Sequence, residues 1–184
     1  RAPKELRAIH PLGKSPVVTD NGNTIAESGA ILEYIIATYG NGRLIPPADT
    51  PERLRYTYWL HYAEGSAMTP LLLKLLFTLM PKRAPALLRP LVRKVSNTAL
   101  STLVNPQLKQ HMAYWEGELG KSEWFAGNDF SGADIQMSFP LEAAAARGGL
   151  EDGHPRCVAF LERIHARPAY ARALEKGGPY EVGR

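Results

Sequence analysis

The chain changes its hydrophobic period once, and that change limits what it can fold into. Its one alternating, β-branched pattern lies within the first forty residues; past Pro51 the periodic segments repeat at three and four residues, the rhythm of amphipathic helices. Pro16-Val17-Val18-Thr19 ends at Asp20-Asn21-Gly22-Asn23, and Thr24-Ile25-Ala26 follows. Asn-Gly suits the two-residue hairpin turn, in which both central positions take positive φ, so a hairpin is expected here. Ser28 then reads as the cap of a helix whose apolar positions are Ile31, Tyr34, Ile35 and Thr38, ended by Gly40 and Gly42.

A hairpin with one helix does not hold together in water. The segment from Arg1 to Leu12 adds no strand pattern, and the chain begins with arginine. The expectation is that the small domain is incomplete as written and that its pairing strands lie upstream. Residues 41–50 contain adjacent prolines and read as a linker. The expected organisation is therefore 1–40 as part of a small α+β domain, 41–50 as linker, and 51–184 as an all-helical domain.

In the helical part, Thr50 with Pro51 and Glu52 marks a helix start. That helix runs through Trp59, Tyr62 and Ala63, and Pro70 is expected to kink or end it. Leu108, His111, Met112, Trp115 and Leu119 form a second apolar stripe, and Cys157, Phe160, Leu161 and Ile164 a third. Ser131 and Asp134 have the spacing of a capping box, with Phe130 and Ile135 as its hydrophobic staple.

Composition narrows the function classes. At 45% hydrophobic and 22% charged the chain is of globular type, and its one cysteine excludes an internal disulfide framework and multi-cysteine zinc sites. The five histidines lack metal spacing, so no metal is expected. Cys157, on an apolar helix face, reads as an inert thiol. The net charge is +4, yet no acidic residue lies between Glu64 and Glu116, where Lys74, Lys82, Arg83, Arg89, Arg93, Lys94 and Lys109 all fall. Such a span can serve an anionic ligand, a membrane surface or nucleic acid, or be a solvated helical face. No nucleic-acid motif accompanies it, and the run from Leu71 to Met80 is too short to span a bilayer. Neither nucleic acid nor membrane is expected as a partner.

The loop His10-Pro11-Leu12-Gly13-Lys14-Ser15-Pro16-Val17-Val18, the hairpin, Ala26-Glu27-Ser28-Gly29-Ala30-Ile31 and the Ser131–Asp134 box together resemble the glutathione S-transferase family. Residues 55–65, RYTYWLHYAEG, resemble a bacterial and fungal group within it. The resemblance covers nearly the whole chain. It implies a thioredoxin-like N-terminal domain followed by an all-α helical-bundle domain, a homodimer, and a cytoplasmic enzyme that activates the glutathione thiol for attack on hydrophobic electrophiles, with peroxide reduction as a second reaction. It also implies a cis bond before Pro16. Ser15 would pair its backbone with the cysteinyl part of glutathione, Lys14 would lie near the glycyl carboxylate, and Glu27 and Ser28 would hold the γ-glutamyl end. The helix start at Ser28 fits a carboxylate on general grounds. Tyr62, Ser66 and Met68 are candidates for the electrophile site, with core packing an equal explanation. The basic span is a candidate attractor of the doubly carboxylated glutathione. No catalytic residue is named: the family's activating Tyr, Ser or Cys is expected upstream, and Cys157 is in the wrong domain. A catalytically silent glutathione-transferase-like module is the alternative.

Overall fold

The computed structural model describes residues 3–178. A short helix, α1 (Lys4–Ile9), leads to strands β1 (Val17–Asp20) and β2 (Asn23–Ala26) and to helix α2 (Ser28–Tyr39). The strands pair antiparallel with Val17 opposite Ala26 and Asp20 opposite Asn23. Asn21 and Gly22 both take positive φ, 48° and 81°, as the Asn-Gly pair requires. Asp20 ties the turn to α2: it accepts from the Tyr34 hydroxyl at 2.8 Å and from the Tyr39 hydroxyl. These donors, Tyr39 first, hold the Asp20 carboxyl below its ordinary range. The buried face of α2 is Ile31 and Ile36, whereas Ile35 is largely exposed and Thr38 lies on the outer face, a correction to the expected stripe.

Residues 41–50 contain no helix or strand. Thr50 then caps α3 (Pro51–Tyr62) through the Arg53 amide at 3.2 Å. Pro70 does not end the helical path. The chain passes through a π turn, Ala63–Ala67, straight into α4 (Met68–Arg83), with Pro70 buried in its first turn. A proline removes one ladder donor, and a widened turn just before it is a known way to absorb the mismatch. A similar path runs from α5 (Arg89–Ala99) through a π turn at Leu100–Val104 into α6 (Asn105–Glu118), followed by α7 (Gly132–Gly148), α8 (Pro155–His165) and α9 (Pro168–Gly177).

The core lies among α3, α4, α6, α7 and α8, around Tyr56, Trp59, Leu71, Leu108, Trp115, Met137 and Phe160. Of the expected stripe of α6, Leu108, Met112, Trp115 and Leu119 are buried and His111 is half-buried, and the stripe of α8 is buried throughout. Cys157 is fully buried; burial and the Glu116 carboxylate push its thiol well above the ordinary range, so it stays protonated.

The capping box forms as the spacing predicts. Asp134 accepts from the Ser131 amide at 2.9 Å, the Ser131 hydroxyl at 2.9 Å and the Phe125 amide at 2.8 Å. The staple does not form in the expected way. Phe130 packs edge-on to Trp124 and under the Arg167 guanidinium, while Ile135 turns to a cleft.

The hairpin unit docks on the bundle at Gly132. Its amide donates to the Leu44 carbonyl at 2.8 Å, and a Cβ there would sit 2.6 Å from Ile36 Cδ1 and 3.1 Å from the Tyr56 hydroxyl. Only glycine fits that approach without a shift. Residues 17–39 thus form a hairpin and a helix seated on an all-helical bundle.

Candidate functional site

The site is built where β2 hands over to α2. Ala26 ends the strand, and Glu27 turns the chain at φ 74° and ψ 122° before Ser28 opens the helix. Positive φ at a non-glycine residue costs on the order of 1–3 kcal/mol, and strain of this kind clusters at functional sites. The expectation that Ser28 caps α2 is corrected here. Glu27 occupies the cap position, Ser28 is the first helical residue, and no side chain caps this helix. The first amide of α2 to find a backbone acceptor is that of Ile31, which donates to Glu27 at 2.9 Å. Of the residues before it in the helix, Ser28 lines the cleft.

The Ser28 hydroxyl reaches across the junction instead. It donates to Glu64 Oε1 at 3.2 Å and accepts from Gln136 Nε2 at 2.8 Å, while Gln136 also donates to Glu64 Oε1 at 2.8 Å. Glu64 sits in the π turn between α3 and α4, and Gln136 lies one turn into α7, nearly buried at 7% exposure. Three segments far apart in sequence therefore meet around one hydroxyl.

Opposite this corner lies the loop before β1. Gly13, at φ 58°, donates its amide to the His10 carbonyl at 2.9 Å and closes a tight turn. The Ser15–Pro16 bond is cis, as the resemblance implies. The loop and the α2 corner face each other across a cavity of about 640 Å³. Lys14, Ser15, Pro16, Glu27 and Ser28, the five candidates for glutathione contact, all line it. Its far wall is apolar, with Ile135 and Phe139 of α7 facing Leu12 and Ile35.

Chemically, the polar end offers a lysine cation and the amide end of α2 to carboxylates, and two carboxylates, Glu27 and Glu64, to an ammonium. A zwitterionic ligand with more than one carboxylate matches that set. The apolar wall leaves room for a second, hydrophobic group beside it.

Residues the sequence did not single out also line the cavity: His10, whose Nδ1 is buried without a partner among the described residues, and Glu64 and Gln136. Glu64 lies inside the RYTYWLHYAEG segment, which was the only sequence signal for it. Tyr62, Ser66 and Met68 do not line the cavity. Tyr62 is buried, donating to His111 Nδ1 and accepting from Trp115 Nε1 at 3.2 Å. Burial pushes its hydroxyl up to about 12 and pulls His111 below the ordinary histidine range, which keeps Tyr62 a neutral donor and His111 a neutral acceptor. Ser66 is exposed on the π turn, and Met68 packs against the core. Arg89 and Arg93 line a different recess, with Phe77, Pro81 and Lys82. The expectation that the basic span draws glutathione to its site finds no support in where those side chains lie.

Comparison with known proteins bears on the family of the whole chain. The model of the glutathione S-transferase N-terminal domain matches residues 1–37 and that of the C-terminal domain matches residues 79–168. Glutathione S-transferase 3 of Schizosaccharomyces pombe is 32% identical over 176 residues, covering 96% of this chain and 73% of the relative. The chain belongs to the glutathione S-transferase family. Glutathione S-transferase 1 of Saccharomyces cerevisiae is 31% identical, with 96% of this chain and 79% of the relative covered. Among solved structures, a glutathione S-transferase from Actinobacillus pleuropneumoniae superposes with a TM-score of 0.75 at 31% identity, covering 95% of this chain and 74% of that one. A sphingomonad glutathione S-transferase complexed with glutathione gives a TM-score of 0.70 at 27% identity, covering 95% and 79%. The thioredoxin-like and helical halves of the fold are those of this family, and its named relatives do not favour a catalytically silent module.

Proposed function

We propose that the cleft binds glutathione and that the protein conjugates its thiol to hydrophobic electrophiles. The observation that carries this reading is the meeting of the Lys14–Pro16 loop and the Glu27–Ser28 helix start in one cavity. In this reading the γ-glutamyl carboxylate meets the Ser28 hydroxyl and the open amides of α2, and its ammonium lies between Glu27 and Glu64. The backbone of Ser15 pairs with the cysteinyl unit, and Lys14 faces the glycyl carboxylate as a point charge. The thiol then points toward Ile135 and Phe139, where an apolar electrophile stacks. With an activated aryl chloride the thiolate sulfur forms a bond to the ring carbon, chloride leaves with the electron pair, and the thiol proton passes to solvent. Peroxide reduction is the second activity consistent with a bound thiolate.

The family membership supports a cytoplasmic homodimer. Leu72 and Leu76, exposed one turn apart on α4, are apolar positions available for a contact between copies. No helix among the described residues is long and apolar enough to cross a membrane.

The test is calorimetric titration with glutathione, paired with turnover of an activated aryl chloride. Binding with chloride release supports the reading. Absence of glutathione binding overturns it and leaves the loop and helix start as fold signatures alone.

A further inference from the structure

Beyond the transferase reading, and independent of it, we propose that the tip formed by the end of α4, the turn at 84–88 and the first turns of α5 docks on an anionic lipid bilayer. Leu87 is 90% exposed, the most open of the large apolar side chains among the described residues. Leu88, Leu91 and Val95, exposed by 50%, 63% and 56%, are spaced three and four apart and share one face of the helix. Single exposed leucines need no explanation, but four large apolar side chains exposed within nine residues do.

The same short stretch carries Lys82, Arg83, Arg89, Arg93 and Lys94, and none of these five is in an ion pair among the described residues. No acidic residue lies between Glu64 and Glu116 to offset them. Arg89 and Arg93, with Lys82, line a recess of about 460 Å³ floored by Phe77, Pro81 and Leu100. Apolar side chains at the tip and cations beside them is the composition of an element that lies in a headgroup layer, leucines inward and long cationic stems reaching phosphates.

Charge selects the occupant. A contact between two copies with the two-fold axis through the tip would bring this cationic patch against itself, which disfavours such a contact. A bilayer with anionic headgroups offers the opposite sign over a continuous surface, together with an apolar layer for Leu87 and Leu91. Such docking needs no spanning helix. It departs from the sequence expectation of no membrane partner, because sequence showed the charges and not that the leucines beside them are unpacked.

Sedimentation of the purified full chain with vesicles tests this. Vesicles of equal parts phosphatidylcholine and phosphatidylglycerol should carry the protein down at low salt and release it as salt rises, and pure phosphatidylcholine vesicles should not bind it. Two variants, Leu87→Ser with Leu91→Ser, and Arg89→Glu with Arg93→Glu, should each lower partitioning by about tenfold or more. Their melting temperature and glutathione titration should match the parent, since none of these residues lines the cleft. No binding to the anionic vesicles, equal binding to both kinds of vesicle, or variants that bind like the parent would overturn the proposal. Conversion of a dimer to a monomer by the leucine variant, read by light scattering, would assign the tip to a contact between copies and overturn it as well.

Discussion

Two helices of this protein begin with a serine beside an acidic residue, and they use the pair in opposite ways. At α7 the Ser131–Asp134 pair is closed: both residues are buried and the carboxylate takes two amides and a hydroxyl. At α2 the Glu27–Ser28 pair is open: Glu27 is held at positive φ, no side chain caps the helix, and the serine bonds to side chains of the other domain. A helix start whose donors are already taken contributes stability and has nothing left for a ligand. A start that leaves them facing a cleft gives up that stability and gains a place for an anion. The residue types are alike, and what separates the two is where the acceptors lie.

Substitutions can break this contrast. The largest effect is expected from Asp134→Ala, which strands two buried amide donors and a hydroxyl; about 3–5 kcal/mol should be lost in denaturant unfolding, with no change in glutathione affinity beyond that of the unfolded fraction. The same residue gives a pH signature. Burial outweighs its donors and pushes the Asp134 carboxyl from 3.8 to about 6. The folded state therefore binds a proton more tightly than the unfolded one, and this contribution is fully present below about pH 4 and lost as pH rises through about 6. The stability gap between the parent and Asp134→Ala should narrow over that window, and a gap that widens would refute the assignment.

Next comes Gly132→Ala, where the added methyl meets Ile36 and Tyr56 across the domain junction. A loss of about 1–3 kcal/mol is expected in thermal melts, because a packed seam yields little to an extra methyl. Ser28→Ala should weaken glutathione binding about tenfold in calorimetry while leaving the melting temperature nearly unchanged, since a hydrogen bond to a charged ligand is lost and a core contact is not. Ser131→Ala should do the reverse at the smallest scale, about 1 kcal/mol of stability with glutathione affinity intact. If Ser28→Ala destabilised the fold as Ser131→Ala does, the two starts would not differ in the way described.

The parts legible in the sequence were those fixed by local chemistry. Asn21-Gly22 determines its turn by backbone preference alone, and Thr50-Pro51 and Ser131–Asp134 act over three residues. The stripes of α6 and α8 were legible for the same reason, since helical period is local. The bond of the Ser28 hydroxyl across the junction was not, because its partner Gln136 lies 108 residues away. Glu64 was hidden in a π turn that no simple period announces. Tyr62 was ambiguous because an amphipathic ring reads alike in a pocket or in a core, and only its partners His111 and Trp115 place it inside. The exposure of Leu87 and Leu91 depends on what fails to pack against them, which no local pattern records.

The wide turn at Ala63–Ala67 has a consequence of its own. Trp59, Ala63, Ala67 and Leu71, all buried, recur every four residues. On a regular α-helix that spacing drifts about 40° per step, so an unbroken helix would slide its apolar line off the core within a few turns. A wider turn rotates less per residue and winds part of the drift back. It works as a phase corrector, keeping two straight helices in step on one core. Glu64 faces the cleft as part of the same adjustment, so removing one residue from this stretch would restore a regular helix and leave α4 nearly in phase, at the cost of the turn that presents Glu64.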